Sequence, residues 1–290
     1  MDNVSLIHCY IFVRDVRRMN REERIKERLK SDYQYLFTLG YRPVGVFLYG
    51  SDNYQMSREN SDIDTKAIVL PRFDDIVDSK DWVSKDYARD EDGGKMDVKD
   101  IRLMFDSYKK QNINFLETLF TKYRYIDRNY ISVWESMIEK NREKIARYNP
   151  RKSILSMYGN MKTKYKSMLH RAPHNEEDID KYGYGLKDFH HIARLYDFIN
   201  RYIDGTESYE QILIPKHKEL LISYKTTALP LEEAKELVET MITKTEEKVN
   251  EKVEEWKDLP VDKEVEELFI RVQRMLIKES LMADLGCKSK

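Results

Sequence analysis

The residues of this 290-residue chain best suited to chemistry are Gly50 and Ser51, followed eleven positions after the serine by Asp62 and then by Asp64. A short apolar run, Val44 to Tyr49, leads into Gly50, where the absence of a side chain permits a tight turn. The Ser51 hydroxyl, together with the free backbone N–H groups of a helix expected after the turn, makes a phosphate site. Asp62 and Asp64 flank one apolar residue, Ile63, at the head of a second apolar run that closes at Pro71. Side chains alternate along a strand, so both carboxylates project from one face, their Cβ atoms roughly 7 Å apart, while Ile63 enters the core. Like charges this close call for a cation. Such a pair can flank two Mg²⁺ ions about 4 Å apart, an arrangement that activates a hydroxyl and steadies a pyrophosphate leaving group.

The Gly-Ser turn, the fixed gap and the Asp-x-Asp strand together resemble the nucleotidyltransferases of the DNA polymerase β superfamily. More narrowly, Tyr49 to Tyr54, Ser61 to Pro71, Asp97 to Phe105 and Asn114 to Phe120 are similar to the nucleotidyltransferases common in bacteriophages and linked to RNA repair and RNA ligases. The likeness is specific over residues 44 to 120. It thins through the remainder, where Lys187, His191 and Arg194 match a basic block that the family also tends to have.

The resemblance implies an NTP substrate, Mg²⁺ (or Mn²⁺) and a third metal carboxylate on a later strand. In Lys95 to Lys99 the apolar Met96 and Val98 share one face and Asp97 takes the other, so Asp97 is the candidate; Asp100, just before an amphipathic helix, reads as its N-cap. The implied catalytic and metal residues are thus Asp62, Asp64 and Asp97, with Asp97 assisting the metal that activates the acceptor hydroxyl. The implied nucleotide contacts are Gly50, Ser51, Asn53, Tyr54, Lys66, Lys187, His191 and Arg194. Lys66 shares a strand face with Asp64, and phosphate partner, carboxylate partner and ordinary surface lysine all remain open for it. Two residues depart from the phage pattern: Asp52 and Gln55 stand where Gln and Gly are usual. The missing glycine threatens the turn. Asp52 adds negative charge beside the phosphate site, unless it serves as a favourable first-turn residue of the following helix.

The elements that must position these residues follow from periodicity. Residues 14 to 37 are charged, with Val16, Ile25, Leu29 and Leu36 at helical spacing, and predict a helix ending before Gly40 and Pro43. Val44 to Tyr49, Ile63 to Leu70 and Lys95 to Lys99 read as strands. Ile101, Met104, Phe105 and Tyr108 then fall on one helical face, and Ile113 to Phe120 continues the helical period. Beyond about residue 130 nothing reads as strand. The segment Leu231 to Trp256 is a long amphipathic helix stopping before Pro260, and a last helix runs from Asp262 to about Leu281. In the helix from Leu186 to Ile199, Lys187, His191 and Arg194 cluster within roughly 60°, opposite Phe189, Ile192, Tyr196 and Ile199, with His190 at the edge. The expected class is α+β: a nucleotidyltransferase-fold α/β catalytic domain over residues 1–130, then an all-helical domain over 131–290 carrying acceptor and triphosphate contacts.

Charge and composition bound the rest. With 51 basic and 52 acidic residues the net charge is -1, so no global field argues for nucleic acid or a membrane surface. The neutrality hides polarity, because residues 140–171 hold ten basic side chains against Glu143 alone, whereas residues 231–270 hold six basic and fourteen acidic ones. In the basic stretch Arg151, Lys152, Lys162, Lys164 and Lys166 alternate with Tyr148, Tyr158 and Tyr165. Tyrosines there could stack on the bases of an RNA acceptor while lysines follow its phosphates; pairing with the acidic helix of the same chain is the equal alternative. Cys9 and Cys287 sit near opposite ends, which argues against a disulfide framework or zinc module. No apolar run reaches membrane-spanning length, and Val4 to Val13 contains His8 and lacks a basic leader, so a cytoplasmic protein is expected. Nucleotide transfer to a protein or small molecule, a degenerate binder of nucleotide or RNA, and a helical scaffold are the competing functions.

Overall fold

The structure is a computed structural model that describes residues 19–59, 61–89 and 93–286. Cys9, Cys287, Val16 and the apolar run from Val4 to Val13 lie outside the described residues. Strands β1 (Arg42–Tyr49), β2 (Asp64–Leu70), β3 (Ser84–Ala88), β4 (Lys95–Asp100) and β5 (Arg124–Ile126) form one sheet in the order β3-β4-β2-β1-β5. The pairing of β2 with β4 is parallel and the other pairings are antiparallel. The longer helices are α1 (Arg21–Thr38), α2 (Ile101–Lys109), α3 (Pro150–Leu169), α4 (Leu186–Asp204), α5 (Leu231–Glu255) and α6 (Lys263–Asp284). Among the described residues no strand follows β5, so the class is α+β with a C-terminal helical region.

The sheet is covered on both faces, and the period of two in its strands decides which side chain meets which layer. Ala67 and Val69 of β2 and Met96 and Val98 of β4 pack with Ile25, Leu29 and Leu36 of α1. Ile68 and Leu70 face the opposite way, into a larger core shared with α2 to α6. A register irregularity between Pro43 and Gly45 lets β1 serve both layers: Val44 and Phe47 join the helical side, Val46 and Leu48 the α1 side. Ile63 is buried on the α1 side. Beneath β2, the fully buried Asp32 of α1 accepts from Arg28 Nε at 2.9 Å and from the Thr65 hydroxyl at 2.5 Å. Arg89 adds an ion pair to the same carboxylate at 2.8 Å. That network pins α1 under the residue lying between Asp64 and Lys66.

Local signals end the elements where the chemistry requires. Asn20 and Glu23 form a reciprocal capping box that starts α1 at Arg21. Asp100 closes β4 and caps α2 by accepting from Arg102 N at 2.9 Å, while Ile101, Met104, Phe105 and Tyr108 bury their shared face. The last helix returns to the sheet: Ser280 Oγ donates to the Pro71 carbonyl at 2.8 Å, and Asp284 pairs with Arg42 at 2.6 Å.

The candidate active-site cavity

β1 and β2 are antiparallel and Tyr49 pairs with Asp64, so the end of one strand lies beside the start of the next. Gly50 follows Tyr49 with φ +94, a backbone conformation that side chains resist, and Cβ at that position would meet nothing within 4 Å. The glycine is needed for the turn, not for space. Residues 51–55 form a tight turn rather than the expected helix: Asn53 N donates to Gly50 O at 3.0 Å and Met56 N to Ser51 O at 2.9 Å. A phosphate at this turn would therefore meet local amides and the Ser51 hydroxyl, without a helix dipole behind them.

Gly50, Ser51, Tyr54, Asp62 and Asp64 line one cavity of about 540 Å³. Its opposite wall is helical, with Lys187, His191 and Arg194 from α4, Lys164 from α3, and Lys225 from the loop before α5. The carboxylate wall thus faces a cationic one. Asp64 Oδ1 accepts from Lys95 N at 2.9 Å, which ties the start of β4 to the site. Neither Asp62 nor Asp64 has an ion-pair partner among the described residues.

Arg194 is 5% exposed, and its guanidinium lies 4.0 Å from the Tyr54 ring centroid. Its Nε and one terminal nitrogen have no hydrogen-bond partner among the described residues, although buried donors are nearly always satisfied. Below it Glu117, 1% exposed, accepts from Gly50 N at 3.2 Å and from the Tyr54 hydroxyl. Burial pushes the Glu117 carboxyl above its ordinary range, against the opposing pull of Tyr54 and Arg194. Burial, reinforced by Arg194, holds His191 far below the usual histidine range, so it is a neutral imidazole in this wall. His190 also lines the cavity but spends its Nδ1 on the Leu221 carbonyl at 2.7 Å.

Several sequence-derived candidates stand elsewhere. Asn53 faces a second cavity of about 480 Å³ behind the turn, because its side-chain amide donates to the Leu48 carbonyl at 3.0 Å and closes the turn from that side. Asp52 faces the same way, paired with Arg21 at 2.7 Å, so its charge is neutralised outside the first cavity. Gln55 keeps the left-handed conformation, at φ 56, that the usual glycine would favour, and its side-chain Oε1 accepts from Lys218 Nζ at 2.9 Å. The turn survives the loss of glycine, at a strain of about 1 kcal/mol.

Asp97 does point away from the face of Met96 and Val98, but it does not join Asp62 and Asp64. Lys66 Nζ holds it at 2.8 Å and Lys99 approaches at 3.4 Å. Lys66 is itself buried between the rings of Tyr49 and Phe115, 4.0 and 4.1 Å from their centroids, so it is a carboxylate partner outside the cavity lining. Among the described residues, no three acidic, histidine or cysteine side chains are grouped to hold a metal ion. The oxygen donors of Asp62 and Asp64, free of ion pairs, suit one hard divalent cation; the full set of three carboxylates is not assembled.

The cations of the basic stretch are answered piecemeal, and its tyrosines are what reach the acidic helices. Arg142 pairs with Glu210 at 2.6 Å and Lys144 with Glu264 at 2.8 Å. Tyr148 donates to Glu266 at 2.6 Å, Tyr165 to Glu239 at 2.5 Å, and Tyr158 bonds Glu246. Tyr148 and Tyr158 are buried, so their rings are not displayed for stacking on bases. Arg151 donates to the Val253 carbonyl at 3.2 Å, while Lys152, Lys162 and Lys166 are exposed on the outer face of α3. Lys164, on the other side of that helix, reaches the cavity and pairs with Asp188 at 2.9 Å.

Glu117 and Lys225 are the charged cavity residues that sequence reasoning assigned no role. Glu117 lies inside the Asn114 to Phe120 segment, where a single acidic residue in an apolar run was the available signal. Lys225 carried none. Among solved structures, a nucleotidyltransferase-like protein from Exiguobacterium sibiricum is similar with 9% sequence identity and a TM-score of 0.30, over 78% of this chain and 75% of that one. No family model matches the sequence. No curated protein matches it either.

Proposed function

We propose that the chain is a divalent-metal-dependent nucleotidyltransferase that moves a nucleoside monophosphate from an NTP to a hydroxyl of an RNA end, tRNA-like in kind, as in the phage enzymes linked to RNA repair. The observation that carries this reading is the single cavity in which a Gly-Ser turn and two unpaired carboxylates face a buried arginine with unsatisfied donors. Anions binding between those walls receive charge-assisted hydrogen bonds from Arg194 and Lys187, and backbone and hydroxyl donors from Ser51. In the reaction the acceptor hydroxyl gives up its proton to solvent as its oxygen forms a bond to the α-phosphorus, the bridge to the β-phosphate breaks, and pyrophosphate leaves. Asp62 and Asp64 would hold Mg²⁺ or Mn²⁺, which when bound supplies positive charge against phosphate oxygens. Tyr54, fixed by Glu117 and covered by Arg194, sets the depth to which the nucleotide enters. The exposed Lys152, Lys162 and Lys166 offer phosphate contacts to an RNA acceptor arriving along α3, with Arg151 beside them.

A second reading rests on Asp97. Its pairing with Lys66 leaves the site one carboxylate short, which favours a protein that binds nucleotide without transferring it. Transfer to a protein side chain or a small molecule is the remaining enzymatic alternative. Incubation with each α-labelled NTP, Mg²⁺ and total RNA or protein separates them. Label that enters RNA and vanishes with Asp62→Ala, a loss of at least about a thousandfold, supports the proposal. Label in protein moves the acceptor, and saturable NTP binding without transfer supports the second reading.

A further inference from the structure

The cavity has a wall that the turn, the strands and α4 do not supply. Between α4 and α5 a short helix, Lys218–Ser223, leads into the cavity residue Lys225. It is fixed at two points: Lys218 donates to Gln55 of the turn at 2.9 Å, and the Leu221 carbonyl accepts from His190 at 2.7 Å. The chain then delivers Lys225, half-buried, to the cavity. Its charged neighbours are Lys187 and Arg194 of α4 and Arg58 of the loop after the turn, all of its own sign. Lys164 is answered by Asp188, and Arg194 faces Glu117, but no carboxylate pairs with Lys225 among the described residues. Like charges gathered in a partly desolvated space repel, and the imbalance is relieved when an anion enters.

We propose that Lys225 is a phosphate-binding residue of this cavity and that, with Lys187 and Arg194, it selects ligands carrying a chain of phosphates over ligands carrying one. The proposal rests on the nucleotide reading of the site and deepens it. A single phosphate is served by the Ser51 turn alone. Only an anion reaching from the turn to the helical wall meets Lys187, Arg194 and Lys225 together, which describes an organic triphosphate or inorganic tripolyphosphate. The buried unsatisfied donors of Arg194 mark the same destination independently. Burial and the three cations also hold the Lys225 amine down at about 8, as expected of an ammonium that lacks a counterion.

The test is calorimetric titration of the full chain with ATP, AMP and inorganic tripolyphosphate in Mg²⁺, for wild type, Lys225→Met and Lys225→Arg. Lys225→Met should weaken ATP and tripolyphosphate about tenfold and leave AMP within about twofold. Its unliganded melting temperature should stay level or rise by about 2 °C, because a repelled charge has gone. Lys225→Arg should keep most of the polyphosphate affinity. Equal losses for AMP and tripolyphosphate, no loss for either, or a lowered melting temperature in Lys225→Met would each overturn the assignment. If wild type binds none of the three anions, the nucleotide reading fails with it; if wild type binds ATP and Lys225→Met binds ATP and tripolyphosphate as tightly, Lys225 alone is refuted.

Discussion

The chain has two cationic regions, and they differ in what surrounds each charge. Residues 140–171 carry the greater number, but Arg142, Lys144 and Arg171 are answered by glutamates or an aspartate, and Lys152, Lys162 and Lys166 are exposed to water. The cavity wall carries fewer, but Arg194 is buried with donors unsatisfied, and Lys225 is half-buried among like charges. A paired or hydrated cation gives little to a ligand, because the ligand must replace an interaction already made. A desolvated, unpaired one gives much. Counting charges along the sequence pointed to the first region; burial points to the second.

The sharpest way to break that contrast is to remove charge from each side, one cation from the cavity and two from α3. Arg194→Met keeps an unbranched side chain over Tyr54 and deletes the guanidinium. It should weaken ATP binding about a hundredfold, since charge-assisted hydrogen bonds in a buried site contribute about 1.5–3 kcal/mol each. The double variant Lys162→Ser/Lys166→Ser should change ATP binding by less than about twofold. Comparable losses in the two, measured by fluorescence titration with a labelled ATP analogue, would show that net charge rather than local pairing governs the site.

The acidic residues allow the same comparison with a smaller effect. Glu239 and Glu266 accept from tyrosines at the rim of the helical region, whereas Glu117 is fully desolvated beneath the turn. A carboxyl raised in the folded state binds more protons folded than unfolded, so its favourable contribution is present at low pH and is lost as pH rises through the folded value. Glu117→Gln, which keeps an acceptor for Gly50 N, should therefore melt above wild type at pH 7.5 by about 2 °C, and the gap should close towards pH 5. Glu117→Ala removes the acceptor from Gly50 and Tyr54 and should cost about 2 kcal/mol at either pH. A Glu117→Gln protein less stable than wild type at pH 7.5 would mean that the carboxylate is net favourable and that the cavity is not under electrostatic stress.

Periodicity was enough for β1, β2, β4, the buried face of α2 and helices α1, α4, α5 and α6, because each places apolar residues at a spacing that only one backbone satisfies; α3, hidden in the basic stretch, was not foreseen. It was not enough for β3, Ser84–Ala88, which is almost wholly exposed, or for the three residues of β5; both are strands because a neighbour offers them hydrogen bonds. The same division runs through the site. Lys187, His191 and Arg194 reach one cavity because helix phase is a local rule, and Gly50, Ser51, Asp62 and Asp64 reach it because they flank the adjoining ends of β1 and β2. Asn53, Lys66 and Asp97 stand outside it because of partners, Leu48, Asp97 and Lys66 respectively, that no local rule selects. Gln55 carries the same lesson in reverse: its missing glycine signalled a broken turn, yet its side chain found Lys218 and the turn held.

The smallest expected effect isolates the half-buried lysine from its neighbours. Lys225 has a folded value of about 8, below the ordinary lysine value of 10.5, so the unfolded chain binds the extra proton between those limits. Its contribution is therefore unfavourable below pH 8 and is relieved as pH rises from 8 towards 10.5, the reverse of a lysine that has gained a partner. A bound polyphosphate reverses the sign, because it stabilises the ammonium and raises the lysine's value in the complex. Tripolyphosphate affinity should then fall roughly threefold to tenfold between pH 7 and pH 9 in wild type, as the proton must be taken up on binding. In Lys225→Arg, whose charge does not titrate in this range, the affinity should stay nearly flat over the same interval. His190 and His191, already neutral at pH 7, contribute nothing to that slope. Proton uptake measured by calorimetry in buffers of different ionisation enthalpy checks the assignment directly, and equal uptake by wild type and Lys225→Arg would move the titrating group elsewhere in the cavity.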